Sequence, residues 1–180
     1  MILVIDICRE YLHFFEFVQP IIDILEINNI RYQVKPYTKL LKKDFNDAER
    51  IIICGTSLID NGFLNNIERF FWLKDFNKPV LGICGGMHIL GVMYNGFLKK
   101  TQEIGFEKID FKKDFLGFIG EKQVYELHNF FVESNQFNVF AKSKNCIQAI
   151  KHKHKPFFGV LFHPEVRNKD LICNFALFSF

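Results

Sequence analysis

The segment Pro79-Val80-Leu81-Gly82-Ile83-Cys84-Gly85-Gly86-Met87-His88 constrains the fold more than any other stretch of this chain. Its apolar run predicts a buried strand over 79–84, and the spacing beyond predicts a helix from Gly86 to about Tyr94. A strand passes directly into a helix here only through a sharp, strained turn at Cys84, in the pattern G-x-C-x-G. The residues two before and two after the cysteine then approach so closely that a Cβ would clash, which requires glycine at both. Such a turn lifts its apex side chain above the strand ends and sets it at a helix N-terminus. Unpaired N–H groups and the helix dipole favour a thiolate there. The turn also directs the Gly85 N–H toward the place where a negative oxygen would develop. Taken alone, the segment also fits a buried structural cysteine in a packed turn, though the nucleophile reading is favoured.

Phe162-His163-Pro164-Glu165 supplies what a nucleophilic cysteine needs. His163 and Glu165 lie two residues apart at the end of an apolar strand, so both side chains can project to one side. A nucleophile needs a base, and the base needs a partner that fixes its tautomer and stabilises the imidazolium. The chain order cysteine, histidine, glutamate is the order of nucleophile-elbow hydrolases. Cys84, His163 and Glu165 are therefore the candidate catalytic residues.

The remaining pattern fits an α/β fold of three layers around a mostly parallel central sheet. Strands are expected over Ile2–Ile7, Arg31–Pro36 and Arg50–Cys54, with a helical stretch from Tyr11 to Ile27 that Pro20 should kink or divide. A helix is expected over Leu64–Phe76. Strand–helix alternation up to Tyr94 implies right-handed crossovers between parallel strands. After Gly96 the character changes. Strands are expected over Phe106–Phe111, Gln123–His128, Asn138–Lys142, Ile147–Lys151 and Phe157–Phe162, in part antiparallel, with a closing helix over Lys169–Phe180. With no linker or repeat, 1–180 reads as a single domain.

Composition excludes several functions. The net charge of +3, from 23 basic and 20 acidic side chains, is too balanced to suggest nucleic-acid binding. The 23 phenylalanines point to an aromatic core. Five cysteines, an odd number with no C-x-x-C pair, argue against a disulfide framework and for a reducing compartment. No apolar run is long enough to span a bilayer, and Met1 leads straight into a strand, so a cytoplasmic location is expected. His152 and His154 have no carboxylate or cysteine nearby in sequence, and no metal site is expected.

On Leu81-Gly82-Ile83-Cys84-Gly85-Gly86-Met87 and Gly159-Val160-Leu161-Phe162-His163-Pro164-Glu165, the sequence resembles the class I, triad-type glutamine amidotransferases. Its layout is similar to the separate glutaminase subunit of archaeal-type GMP synthases, and the resemblance implies a flavodoxin-like arrangement. It further implies that Cys84 attacks the γ-amide of glutamine and forms a γ-glutamyl thioester, with the ammonia passing to a separate synthetase and no cofactor involved. Gly85 together with Gly55 or Thr56 would hold the oxyanion, and His88 and His128 would stand near the substrate. The sequence departs from the family pattern in that substrate set. Cys54-Gly55-Thr56-Ser57 replaces S-G-G-P, and His88 stands where glutamine is frequent. Leu161 also replaces a glutamine, and Leu127-His128-Asn129-Phe130 replaces S-H-x-D. These changes keep two other functions open: a stand-alone γ-glutamyl amide or peptide hydrolase, and a non-catalytic regulatory homologue.

Overall fold

Ile2-Leu3-Val4-Ile5 is apolar at every position, so neither face of this strand can meet water and the sheet must be covered twice. The computed structural model, which describes residues 1–178, shows this arrangement. β1 (Ile2–Asp6) lies between β2 (Tyr32–Pro36) and β3 (Arg50–Ile53). β4 (Val80–Ile83) follows β3 in the sheet, and each of these pairings is parallel. Ile2, Val4, Ile52, Leu81 and Ile83 face one core with α2 (Gln19–Ile27) and α5 (Lys169–Leu177). Leu3, Ile5, Ile51, Ile53 and Val80 face the other, with α4 (Gly85–Met93) and the 3-10 run Leu64–Lys74. Alternate residues of each strand thus feed opposite cores, which makes three layers. A short α3 (Lys42–Asp47) precedes β3.

The expected division at Pro20 is present. α1 (Tyr11–Phe17) ends before α2, and Pro20 falls in the first turn of α2, where a missing N–H leaves no helical bond unmade. The stretch expected as an α-helix over Leu64–Phe76 is instead a 3-10 run broken at Asn66 (φ −123°, ψ 36°). The closing helix ends at Leu177, and positions 179–180 of the expected span lie outside the described residues.

The sheet is not mostly parallel. Its nine strands run β2-β1-β3-β4-β9-β8-β7-β5-β6. β4 pairs parallel with β9 (Phe157–Val160), but β8 (Ile147–His152), β7 (Phe137–Lys142), β5 (Phe97–Phe115) and β6 (Phe118–Glu133) are joined by antiparallel pairings. The physical reason is loop length. β5 and β6 are joined by Leu116 and Gly117 alone, both at positive φ (54° and 82°), a two-residue turn that can only return the chain antiparallel. The two short strands expected at 106–111 and 123–128 are segments of this one long hairpin. Phe111 meets Phe118 and Phe162 edge-on at 5.6 and 6.4 Å, tying the hairpin to the chain just past β9. Among the described residues, no helix is long and apolar enough to cross a membrane.

Candidate active site

Cys84 sits at φ 48°, ψ −103°, a left-handed backbone geometry that costs a non-glycine residue about 1–3 kcal/mol. The turn that imposes it depends on the two glycines. A Cβ on Gly82 would stand 2.5 Å from the Gly86 carbonyl, and one on Gly86 would stand 2.3 Å from the Ile53 carbonyl oxygen. Cys84 N–H is fixed to the Val160 carbonyl at 2.8 Å, which locks the elbow to β9. Gly85 is the first residue of α4, so its N–H has no acceptor within the helix.

β9 delivers the second half. His163 and Glu165 are both buried, and His163 Nδ1 lies 2.7 Å from Glu165 Oε1. The backbone N–H of His163 donates to the Tyr125 carbonyl at 2.9 Å, which holds the segment against β6. Burial pushes the His163 pKa down. The charges of Glu165 and Cys84, together with the hydrogen bond to Glu165, outweigh burial and raise it well above the ordinary 6.5. Cys84 is close enough to bias the ring in this way, but its thiol is directed at the Leu127 carbonyl, 3.7 Å away. His163 Nε2 consequently has no aligned hydrogen-bond partner. Cys84 and His163 are thus close neighbours without a formed bond between them.

The other sequence-predicted residues divide into two groups. Gly55 lies flat against the His163 ring, where a Cβ would come within 2.7 Å of Cε1. Neither Gly55 nor Thr56 has a positive φ, so threonine at position 56 is no backbone obstacle. The Thr56 hydroxyl donates to Asp60 Oδ2 at 3.0 Å. His88 and His128 both border the pocket, yet each ring serves the protein. His88 Nε2 is 3.0 Å from the Phe130 carbonyl, and burial pushes its pKa down to about 4, so the neutral ring donates from Nε2. His128 is held by the Thr101 carbonyl at 3.2 Å from Nδ1 and by Glu103 Oε2 at 3.2 Å from Nε2.

The pocket above Cys84 has Thr56–Leu58, Asn61 and Phe63 on one side and Leu127–Phe130 on the other. About 10 Å³ is left between them, room for about one water. A larger groove around Trp72 shares no residue with it. Leu58, Glu103 and Glu126 are missing from the sequence-predicted set, and Leu127 and Asn129 entered it only as departures from the family pattern. One signal could have found Glu126: Val124, Glu126 and His128 alternate on one strand, so a buried valine implies a buried carboxylate beside a histidine. Glu103, His128 and Cys146 place potential metal-ligating atoms within 4.8 Å of one another. Both Glu103 oxygens are already engaged by side-chain donors, so the group is satisfied as a hydrogen-bonded node.

The family model for class-I glutamine amidotransferases matches residues 13–173. The chain belongs to this family. It is 28% identical to a separate subunit of the glutamine-hydrolysing GMP synthase of Pyrococcus abyssi, with 98% of this chain and 97% of that one covered. It is 34% identical to the GMP synthase of Spiroplasma kunkelii over 80% of its own length, but spans only 30% of that longer protein. The fold matches a GMP synthase subunit protein of Thermoplasma acidophilum with a TM-score of 0.84 at 21% identity, covering 97% of this chain and 91% of that one. As a class I family member, the chain is a cysteine-dependent glutamine amidotransferase.

Proposed function

We propose that the chain is the glutaminase subunit of a GMP synthase, using Cys84 as nucleophile, His163 as base and acid, and Glu165 as the group that orients His163. The observation that carries the reading is the strained cysteine at φ 48° beside a buried His163–Glu165 pair 2.7 Å apart. Near-full-length similarity to a separate GMP synthase subunit supports the synthetase assignment. The Cys84 proton passes to His163 Nε2, and Sγ attacks the γ-amide carbon of glutamine. The N–H of Gly85 and that of Gly55 or Thr56 receive the oxyanion; losing one such donor costs roughly 3–4 kcal/mol. His163 then protonates the leaving nitrogen, and ammonia departs from a γ-glutamyl thioester. Water, giving its proton to His163, hydrolyses the thioester to glutamate and restores the thiol. In this reading His88 and His128 shape the pocket from behind.

The proposal takes 1–180 as one domain, supported by a single sheet shared by both cores. It places the chain in the cytoplasm, with its five free cysteines, and assigns no nucleic acid as partner. The test mixes the chain with the GMP-forming synthetase subunit of its own source. Cys84→Ala should abolish glutamine-dependent GMP formation and leave ammonia-dependent formation intact. Glutamine-dependent synthesis that survives the substitution overturns the assignment of the nucleophile.

A further inference from the structure

Behind the pocket wall lies a buried carboxylate that the proposed chemistry does not use. Glu103 is 7% exposed and gathers donors from three separate parts of the chain. Ser143 Oγ and Asn145 Nδ2 reach Oε1 at 2.8 and 2.9 Å from the turn between β7 and β8. Gln148 Nε2 on β8 and Cys146 Sγ reach Oε2 at 2.7 and 3.3 Å, and His128 Nε2 on β6 reaches it at 3.2 Å. Burial pushes the Glu103 pKa up, but these donors and the His128 charge outweigh it and leave it below the ordinary carboxylate value. Among these partners, only His128 borders the pocket.

A bulge in the hairpin creates the arrangement. Lys100 pairs with Phe130 and Glu103 with His128, so Thr101 and Gln102 stand opposite Asn129 alone. The extra residue brings the Thr101 carbonyl and the Glu103 carboxylate to opposite nitrogens of one ring. Glu126 Oε2 also stands 3.2 Å from Nε2, so the ring lies between the Thr101 carbonyl on one side and two carboxylates on the other, of which Glu103 is the one held by further donors. On one side of His128, the Leu127 carbonyl faces Cys84 Sγ; two residues further, the Phe130 carbonyl is held by His88.

We propose that Glu103 is a positioning residue for glutamine binding, fixing the Leu127–Phe130 wall through His128. This rests on the glutaminase reading. A glutamine side chain entering above Cys84 must pass along this wall, so its placement sets how well the substrate is held. The Cys84 backbone is held by Val160, and His163 and Glu165 bond to each other, so neither depends on the His128 ring. Loss of Glu103 therefore weakens binding of a glutamine-shaped molecule and leaves the reactivity of Cys84 unchanged.

The test follows alkylation of Cys84 in the full chain by intact mass, with a glutamine-mimicking diazo-ketone and, separately, with iodoacetamide, which needs no pocket. Glu103→Gln should raise the half-saturating diazo-ketone concentration about tenfold, the scale of a buried donor set left without its acceptor. Its saturating rate and the iodoacetamide rate should stay within about twofold of wild type. His128→Asn should act similarly, and the double variant should lose no more than either single one. Glu103→Asp, which keeps the charge, should fall between wild type and Glu103→Gln. Unchanged half-saturation in a folded Glu103→Gln, or additive losses in the double variant, overturns the proposal. If Glu103→Gln does not fold, wild-type half-saturation in Glu103→Asp overturns it. Wild type that reacts with iodoacetamide but never with the diazo-ketone overturns the glutaminase reading, and this proposal with it.

Discussion

On one side of Cys84 the pocket wall is a strand; on the other it is a loop. Leu127–Phe130 belongs to β6, is paired with β5 on both sides of the bulge at Asn129, and is anchored from behind by Glu103 and His88. α4 packs so tightly behind it that a Cβ on Gly91 would meet Val132 at 2.2 Å. The facing segment from Gly55 to Phe63 makes no ladder bonds. It hangs on Asp60, whose Oδ2 accepts from Arg9 N–H at 2.7 Å and from the Thr56 hydroxyl at 3.0 Å. One contact crosses the mouth, Asn129 Nδ2 donating to the Leu58 carbonyl at 3.1 Å. A space of about 10 Å³ is smaller than a glutamine side chain, and the loop wall has fewer bonds to break than the strand wall. The difference teaches that Cys84 and one wall are held by backbone bonds and strand pairing, while the second wall rests on side-chain contacts.

Three substitutions probe that division, in decreasing order of effect. Gly86→Ala attacks the fixed floor by driving a Cβ into the Ile53 carbonyl. It should cost about 3 kcal/mol in chemical denaturation, the upper part of the overpacking range. A loss below about 1 kcal/mol would show that the floor gives way, and the contrast between the walls would fail.

Glu165→Gln tests the buried His163–Glu165 pair beside Cys84, with an expected loss of about 2 kcal/mol, typical of a hydrogen bond to a charged group. The loss should depend on pH in a definite sense. Because the folded-state pKa of His163 lies above its ordinary 6.5, the stabilisation is fully present below that value. It is lost as pH rises through the folded value. Melting curves of wild type and variant should therefore converge toward alkaline pH, and a constant gap would contradict the raised pKa.

Asn129→Ala cuts the hydrogen bond to the Leu58 carbonyl that links the walls and should cost at most about 1 kcal/mol of stability. Without a partner protein present, diazo-ketone labelling of Cys84 should nonetheless speed up severalfold. An unchanged or slower rate would mean that this contact does not limit access, and that the loop wall is as fixed as the strand.

The legible parts of the molecule share a local cause. The elbow can be read because its requirement is steric and falls within five residues, from Gly82 to Gly86. His163 and Glu165 can be read as candidates because a histidine and a carboxylate two apart just past an apolar strand form a local pattern. The first four strands are visible as continuous apolar runs, and the break near Pro20 follows from proline alone. The expectation of a mostly parallel sheet fails because apolar periodicity identifies strands without giving their direction. That information sits in Leu116-Gly117, a turn whose leucine takes an unusual positive φ.

By itself, the sequence determined the elbow, the triad candidates, the two-faced parallel half of the sheet and the family, since each rests on neighbours along the chain. Only the tertiary structure decided that His128 turns to Glu103 and that His88 holds Phe130. It alone decided that a loop and a strand enclose Cys84 from opposite sides. A buried carboxylate chooses its donors among whatever the fold brings within reach. For Glu103 those donors lie 25 to 45 residues along the chain, beyond any local pattern.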